Sequence, residues 1–164
     1  MPHKIVHAHI ILLLVILYLL PVKAGYTPAS TWQHLVFMFF HGNIFHLIGN
    51  CYCAYYILNN RTFNWHTTLV IIYTVAVLSS FVCYSPLPTV GFSAPLFVML
   101  GINFYSSSHR KNYLPLLLSV MVCWLFIPHL NTPLHILCFI LGYLYTWNNN
   151  FIKKIRHDCA RLNR

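Results

Sequence analysis

Ser93 and His135 are the residues of this sequence that could serve as a nucleophile and its general base. Each stands where an apolar stretch begins, Ser93 after PLPTVGF and His135 after NTPL. A serine hydroxyl attacks a carbonyl carbon when a histidine accepts its proton, and the oxyanion that forms needs hydrogen-bond donors. His46 and Asn50 are four residues apart, on one face of a predicted helix, and could donate together with the Ser93 backbone N–H. These residues predict acyl-transfer chemistry.

The scarcity of acidic side chains excludes several catalytic mechanisms. Asp158 is the only carboxylate side chain, and it lies near the C-terminal end. Aspartyl proteolysis inside a membrane needs two carboxylates, and H-E-x-x-H zinc chemistry needs a glutamate, so neither fits. A Ser-His-Asp triad within the apolar region is excluded as well. A serine mechanism in this chain must therefore use a dyad.

The composition predicts an all-α polytopic membrane protein. Of the 164 residues, 59% are hydrophobic and 7% are charged, with a mean hydropathy of +0.65, whereas soluble domains carry about 25% charged residues. A bilayer accepts only helices and closed barrels, and no period-two alternation is present. We expect six transmembrane helices, at Ile5–Ala24, Val36–Leu58, Thr67–Tyr84, Phe92–Ser107, Tyr113–Ile127 and Leu134–Trp147.

The distribution of positive charge predicts the orientation. With the N-terminus inside, nine of the ten Lys and Arg residues face the cytoplasm, and only Lys23 lies outside. Both termini are then cytoplasmic, and the net charge of +9 needs no nucleic-acid partner. We expect residues 1–152 to form the membrane domain. Residues 153–164 form a basic tail that rests on anionic headgroups, with binding of a specific partner as the alternative.

The same orientation brings the polar residues to one depth. Depth is counted from the cytoplasmic end of each predicted helix at about 1.5 Å per residue. By this count three residues lie about 20–22 Å above the cytoplasmic ends and roughly 8–10 Å below the outer surface of a core about 30 Å thick: His46, Ser93 and His135. Prolines in YSPLPTVG and IPHLNTP keep the outer turns of the fourth and sixth segments non-helical. Such backbone is tolerated where it lines a wet cavity, so we expect a pocket that opens outward. His41, about 140° around the helix from His46, would support this site.

The six cysteines do not indicate a metal site. Five lie inside or at the ends of predicted spans, and Cys51-x-Cys53 lacks the C-x2-C spacing of structural zinc sites. We interpret them as small packing residues and expect neither a metal nor another cofactor.

Several motifs resemble those of the rhomboid intramembrane serine proteases. The second segment carries a histidine followed by His-x-x-x-Asn, the fourth begins with Gly-x-Ser, and the sixth has a histidine followed by glycine seven residues later. An aromatic residue four positions after the serine and a glycine ten positions after the first motif glycine also fit. The matching residues are His41, His46, Asn50, Gly91, Ser93, Phe97, Gly101, His135 and Gly142, and Trp32 fits a first-loop tryptophan.

This resemblance implies a six-helix rhomboid-like bundle that cleaves transmembrane proteins near the outer interface. Ser93 and His135 would be catalytic, and His46, Asn50 and the Ser93 N–H would stabilise the oxyanion. His41, Gly91, Phe97, Gly101 and Gly142 would support the site. The implied location is a bacterial cytoplasmic membrane, with the site open to the outside, and substrate would approach laterally near Tyr113–Ile127.

Three departures and two rival functions stay open at this stage. Gln33 replaces the usual arginine of the first loop, Ala94 replaces the last glycine of the serine motif, and Cys138 replaces a frequent packing glycine. A catalytically inactive rhomboid-like protein that binds membrane helices is one rival. A small carrier or channel that moves protons through its histidines is the other, although the inner halves of the fourth and sixth segments are strongly apolar.

Overall fold

The computed structural model describes residues 2–20, 25–59, 65–85, 87–106 and 130–162, and these ranges are helical apart from their connections. The elements are α1 (Pro2–Leu19), α2 (Gln33–Val36), a 3₁₀ turn (Phe37–Phe39), α3 (Ile44–Asn59), α4 (Trp65–Ser80), α5 (Ser93–Ser106) and α6 (Thr132–Leu162). For the described residues, the prediction of an all-helical fold is therefore confirmed. The fifth predicted segment, Tyr113–Ile127, lies outside the described residues.

The predicted and observed helix boundaries agree best for the helix that begins at Ser93. The predicted fourth segment, Phe92–Ser107, corresponds to α5 with one residue removed at each end. The predicted sixth segment ended at Trp147, but α6 continues to Leu162 and so passes through the predicted domain boundary at residue 152. Within the described ranges, none of the helices combines the length and the apolar character that a membrane crossing requires.

The second predicted segment is broken, and its prediction as one helix was wrong. The chain leaves the 3₁₀ turn at Phe40 in an extended conformation, and α3 begins only at Ile44. His41 therefore lies in the break and shares no helix with His46. The break is stabilised by Asn43, whose Oδ1 accepts a hydrogen bond from the His46 N–H at 2.9 Å. An asparagine that caps a helix in this way stabilises a new N-terminus.

Helix α5 is the centre of the bundle. Nearly all of its side chains from Ala94 to Asn103 are buried, as expected for a helix that is apolar on every face. It packs on α3 and α4 and, most extensively, on α6. Gly101 faces the Phe139 carbonyl and Gly142 faces the Val98 carbonyl so closely that a methyl group at either glycine would overlap the opposite backbone. Small residues thus allow these two helices to touch.

The non-helical segment before α5 has partners for its backbone. Tyr26 and Thr89 form an isolated antiparallel bridge, with N–H···O distances of 3.1 and 3.0 Å. The Gly91 N–H donates to the Phe37 carbonyl at 3.1 Å, and the Phe92 N–H points to His41 Nε2 at 3.5 Å. A buried backbone N–H without a partner is costly. These bonds therefore stabilise the loop that leads into Ser93.

His34 is a buried polar residue near the Tyr26–Thr89 bridge. It is 1% exposed, stacks on Phe81 with ring centroids 4.2 Å apart, and packs beside Tyr26. The Ser80 hydroxyl donates to the Val77 carbonyl, so Ser80 Oγ accepts from His34 Nδ1 at 2.8 Å. Burial lowers the pKa of the His34 imidazole below its ordinary value, because the cation would lose solvation.

The lowered pKa of His34 predicts acid sensitivity. The unfolded chain binds a proton at His34 near pH 6.5 and the folded chain only at lower pH, so folding stability falls as the pH drops below about 6.5. We expect the thermal midpoint in detergent to decrease from pH 7.5 to 5.5, and to decrease less in His34→Phe, which retains a ring to stack on Phe81. Equal decreases in both proteins would contradict this assignment.

Candidate active site

Ser93 and His135 meet at the N-terminal ends of α5 and α6. Ser93 is the first residue of α5, and His135 lies in the first turn of α6. His135 Nε2 is 2.8 Å from Ser93 Oγ, a normal hydrogen-bond distance. The Phe97 ring stacks on the imidazole with centroids 4.7 Å apart and an interplanar angle of 28°. His135 is 3% exposed and Ser93 is half-buried, so the hydroxyl is the more accessible partner.

His41 orients Asn50 beside the start of α5. His41 Nε2 lies 2.9 Å from Asn50 Nδ2 and 3.5 Å from the Phe92 backbone nitrogen. Both neighbours are N–H donors, so Nε2 accepts and the ring proton is on Nδ1. An asparagine amide has two hydrogens, and this contact uses one of them. The contact fixes the plane of the amide, and the second hydrogen can serve an acceptor in the site.

His46 packs directly on the glycine of the serine motif. Gly91 has a φ of +115°, a conformation that favours glycine. A methyl group at Gly91 would overlap His46 Cε1 and lie 2.6 Å from His46 Nε2 and 3.4 Å from Asn50 Nδ2. The His41 and His46 rings also touch edge to face, with centroids 5.2 Å apart. Gly91 therefore leaves the space in which His46 and Asn50 approach the turn before Ser93.

The structure thus brings most of the predicted site residues together and separates two of them. Those around the N-terminal end of α5 are His41, His46, Asn50, Gly91, Ser93, Phe97 and His135. Gly101 and Gly142 lie further along α5 and α6, where the two backbones touch. These glycines can affect the site only by setting how closely the two helices approach.

The departures from the family motifs are accommodated in different places. Gln33 Oε1 accepts from the Thr31 backbone N–H at 3.1 Å, so it stabilises a turn of its own loop. Trp32 is 54% exposed. Ala94 and Cys138 are fully buried. Cys138 replaces a packing glycine on α6, and α6 nevertheless packs closely on α5.

Sequence reasoning missed a group of polar residues behind the site. Asn131 hydrogen-bonds to Tyr26, Thr89 and the Cys83 carbonyl, and its side chain also caps α6. One signal was available, because an asparagine directly before an apolar helical stretch is typical of an N-cap. The partners of Asn131 are far away in sequence and gave no signal.

The first turn of α5 offers further donors. The first N–H groups of a helix have no acceptor within that helix, and they point toward its N-terminus, where negative charge is stabilised. Ser93 is the first residue of this turn. Two residues before it, Gly91 lies close to the His46 and Asn50 side chains. The arrangement can therefore combine proton transfer from a hydroxyl with stabilisation of a nearby anion. In the described part of the chain, His, Cys, Asp and Glu side chains do not gather in threes as metal ligands.

Comparison with protein families gives a match that covers most of the chain. The family model described as Rhomboid domain matches residues 28–149, which include every residue of the candidate site. No curated protein and no solved structure matches the chain.

Proposed function

Because the chain belongs to the rhomboid family of integral membrane proteins, whose members are generally intramembrane serine proteases, we propose that it is an active serine endopeptidase. It would use a Ser93–His135 dyad to cleave transmembrane segments near the outer membrane interface. The observation that carries this proposal is the 2.8 Å contact between His135 Nε2 and Ser93 Oγ at the start of a buried helix. The resemblance seen in the sequence is confirmed at the level of the family.

The mechanism follows from the atoms around Ser93. His135 Nε2 accepts the proton of the Ser93 hydroxyl while Oγ bonds to the carbonyl carbon of the scissile peptide. The carbonyl oxygen becomes negative and accepts hydrogen bonds from the Ser93 N–H, Asn50 Nδ2 and His46. His135 then gives its proton to the leaving amine, and the C–N bond breaks. An acyl-enzyme on Ser93 remains.

The second half of the reaction uses water. His135 takes a proton from a water molecule whose oxygen attacks the acyl carbon, and the ester bond to Ser93 breaks as the proton returns to Oγ. No carboxylate is needed, because stacking on Phe97 and placement in the first turn of α6 hold the imidazole. A base held by packing in this way is consistent with a chain that has a single acidic residue.

We propose that the substrates are membrane proteins whose transmembrane helix unwinds near the cut. A peptide bond inside a helix is shielded from attack, so small or helix-breaking residues there would favour cleavage. In this proposal both termini face the cytoplasm, the site opens to the outside of a bacterial cytoplasmic membrane, and substrate approaches near Tyr113–Ile127. The basic residues from 153 onward would rest on anionic lipid.

Cleavage of a reporter substrate tests the proposed function. The purified chain in detergent, and again in proteoliposomes, is incubated with a single-span reporter that carries small residues near its outer end. We expect two fragments on a gel and no fragments with Ser93→Ala. A chain that binds the reporter but never cuts it, in detergent or in lipid, would instead support the inactive helix-binding alternative.

Asn50→Ala is expected to lower the cleavage rate by about 10²–10³-fold, the usual cost of one oxyanion donor. The effect should fall on kcat rather than KM, because the lost bond forms only as the oxyanion develops. Asn148→Ala removes the same groups from an exposed position of α6 and serves as the control. An Asn50→Ala rate within about twofold of the wild-type rate would remove Asn50 from the mechanism.

A further inference from the structure

The Asn131 side chain joins the start of α6 to two other parts of the outer end. Its Oδ1 accepts from the Leu134 N–H at 3.2 Å, which makes Asn131 the N-cap of α6. Its Nδ2 lies 2.9 Å from Tyr26 Oη, 3.1 Å from the Cys83 carbonyl oxygen and 3.1 Å from Thr89 Oγ1. Asn131 is 4% exposed, so these bonds form away from bulk solvent.

The directions of these bonds make Asn131 the donor. The Tyr26 hydroxyl donates to the Cys83 carbonyl at 2.7 Å, so it can only accept from Asn131. Burial raises the pKa of the Tyr26 phenol, so that hydroxyl keeps its proton and the bond keeps its direction. Two amide hydrogens are thus shared among three oxygens. Another capping residue could replace the acceptor of Asn131 but not this donor.

The oxygens bound by Asn131 belong to the loop that leads into the candidate nucleophile. Thr89 pairs with Tyr26 in the antiparallel bridge and precedes Ser93 by four residues. On the other side, the His135 N–H donates to the Asn131 carbonyl at 3.3 Å, within the first turn of α6. One buried side chain therefore lies between the segment that carries the hydroxyl and the turn that carries the imidazole.

We propose that Asn131 is a positioning residue that sets the distance between Ser93 Oγ and His135 Nε2 by tethering the first turn of α6 to the Tyr26–Thr89 bridge. The inference rests on the proposed function for its kinetic consequence, whereas the tether itself is a property of the fold. In a serine dyad no carboxylate orients the base, so the position of α6 and the stacking on Phe97 constrain His135. A displacement of about 1 Å at a reacting pair can lower a rate by about 10²-fold.

Two variants of Asn131 separate the tether from the cap. Asn131→Ser keeps an oxygen that can cap α6 but removes the amide donor, and Asn131→Ala removes both groups. We expect both to lower kcat about 10–100-fold with KM within about twofold, and Asn131→Ser to retain more thermal stability. Ser30→Ala, which deletes a hydrogen bond to Thr27 in the same outer region, is the control and should retain the wild-type kcat. A wild-type kcat in Asn131→Ser would overturn the proposal.

A spectroscopic readout separates this inference from the proposed function. The ¹⁵N resonance of His135 Nε2, assigned with His135→Ala, reports the hydrogen bond to Ser93 whether or not the chain cleaves anything. Removing the partner in Ser93→Ala gives the value without that bond. We expect Asn131→Ser to move the resonance toward that value and Ser30→Ala to leave it unchanged.

The His135 resonance can refute the tether independently of the proposed protease activity. A wild-type chain that cuts no substrate, but whose His135 resonance responds to Ser93→Ala and Asn131→Ser, would refute the proposed protease and still support the tether. A His135 resonance unchanged in Asn131→Ser would refute the tether. If Asn131 variants do not fold, the double substitution Tyr26→Phe with Thr89→Val keeps Asn131 and removes two acceptors. It should shift the resonance in the same direction, and a wild-type value there would refute the tether.

Discussion

Ser93→Ala and His135→Ala are each expected to reduce cleavage of a transmembrane reporter by about 10⁴-fold or more. In the proposed mechanism the two residues act as one unit, because the imidazole accepts the proton of the Ser93 hydroxyl and gives that proton to the leaving amine. Removal of either member of such a unit costs nearly as much as removal of both. The double variant should therefore be no slower than either single variant. Initial rates from gel densitometry, with substrate below KM, give the comparison.

The controls for this prediction are matched in residue type. Ser30→Ala and His9→Ala change a serine and a histidine outside the site, His9 being exposed on α1, and should cleave at the wild-type rate. Thermal unfolding should show that the site variants remain folded, since neither substitution removes a large apolar group. Near-normal cleavage by His135→Ala in detergent would show that His135 is not the base.

Gly101→Ala and Gly142→Ala are expected to destabilise the bundle by about 1–3 kcal/mol each, and more if the backbones cannot separate. A methyl group at Gly101 would overlap the Phe139 carbonyl, and one at Gly142 would overlap the Val98 carbonyl. Backbone cannot rotate away as a flexible side chain can, so α5 and α6 would have to move apart. Because these helices carry Ser93 and His135, cleavage should decrease as well.

Gly49→Ala is the matched control for the two packing glycines. It introduces the same methyl group into α3, where nothing lies within 4 Å. Alanine is the better helix former by about 1 kcal/mol, so Gly49→Ala should be neutral or slightly stabilising. Thermal midpoints in one detergent give the comparison. If all three variants unfold at the same temperature, the close approach of α5 and α6 is not what stabilises the bundle.

The start of α5 could be predicted from the sequence because its determinants are local. Prolines and Gly91 precede an apolar run, so the helix could begin only near Ser93, and it does. The break before α3 could not be predicted from hydropathy. Aromatic residues around it continue the apolar run, while the break depends on Asn43 as a cap and on contacts of His41 with Asn50.

The length of α6 was underestimated for a different reason. Hydropathy decreases at Trp147, where a run of asparagines follows, but the helix continues because its backbone bonds do not require apolar side chains. The meeting of Ser93 and His135 was predicted from the common depth calculated for the two residues and from the resemblance to rhomboid motifs. The network of Asn131 with Tyr26 was not, because 105 residues separate them and the helix-start signal of Asn131 does not indicate its partners.

The most direct test of the proposed Ser93–His135 dyad is covalent labelling of the purified chain with a fluorophosphonate, followed by mass spectrometry of the peptides. A serine reacts with this reagent only when a base has activated its hydroxyl. We expect one adduct, on Ser93, that is absent in Ser93→Ala and strongly reduced in His135→Ala. An unlabelled wild-type chain, or an adduct on another serine with Ser93 unmodified, would contradict it.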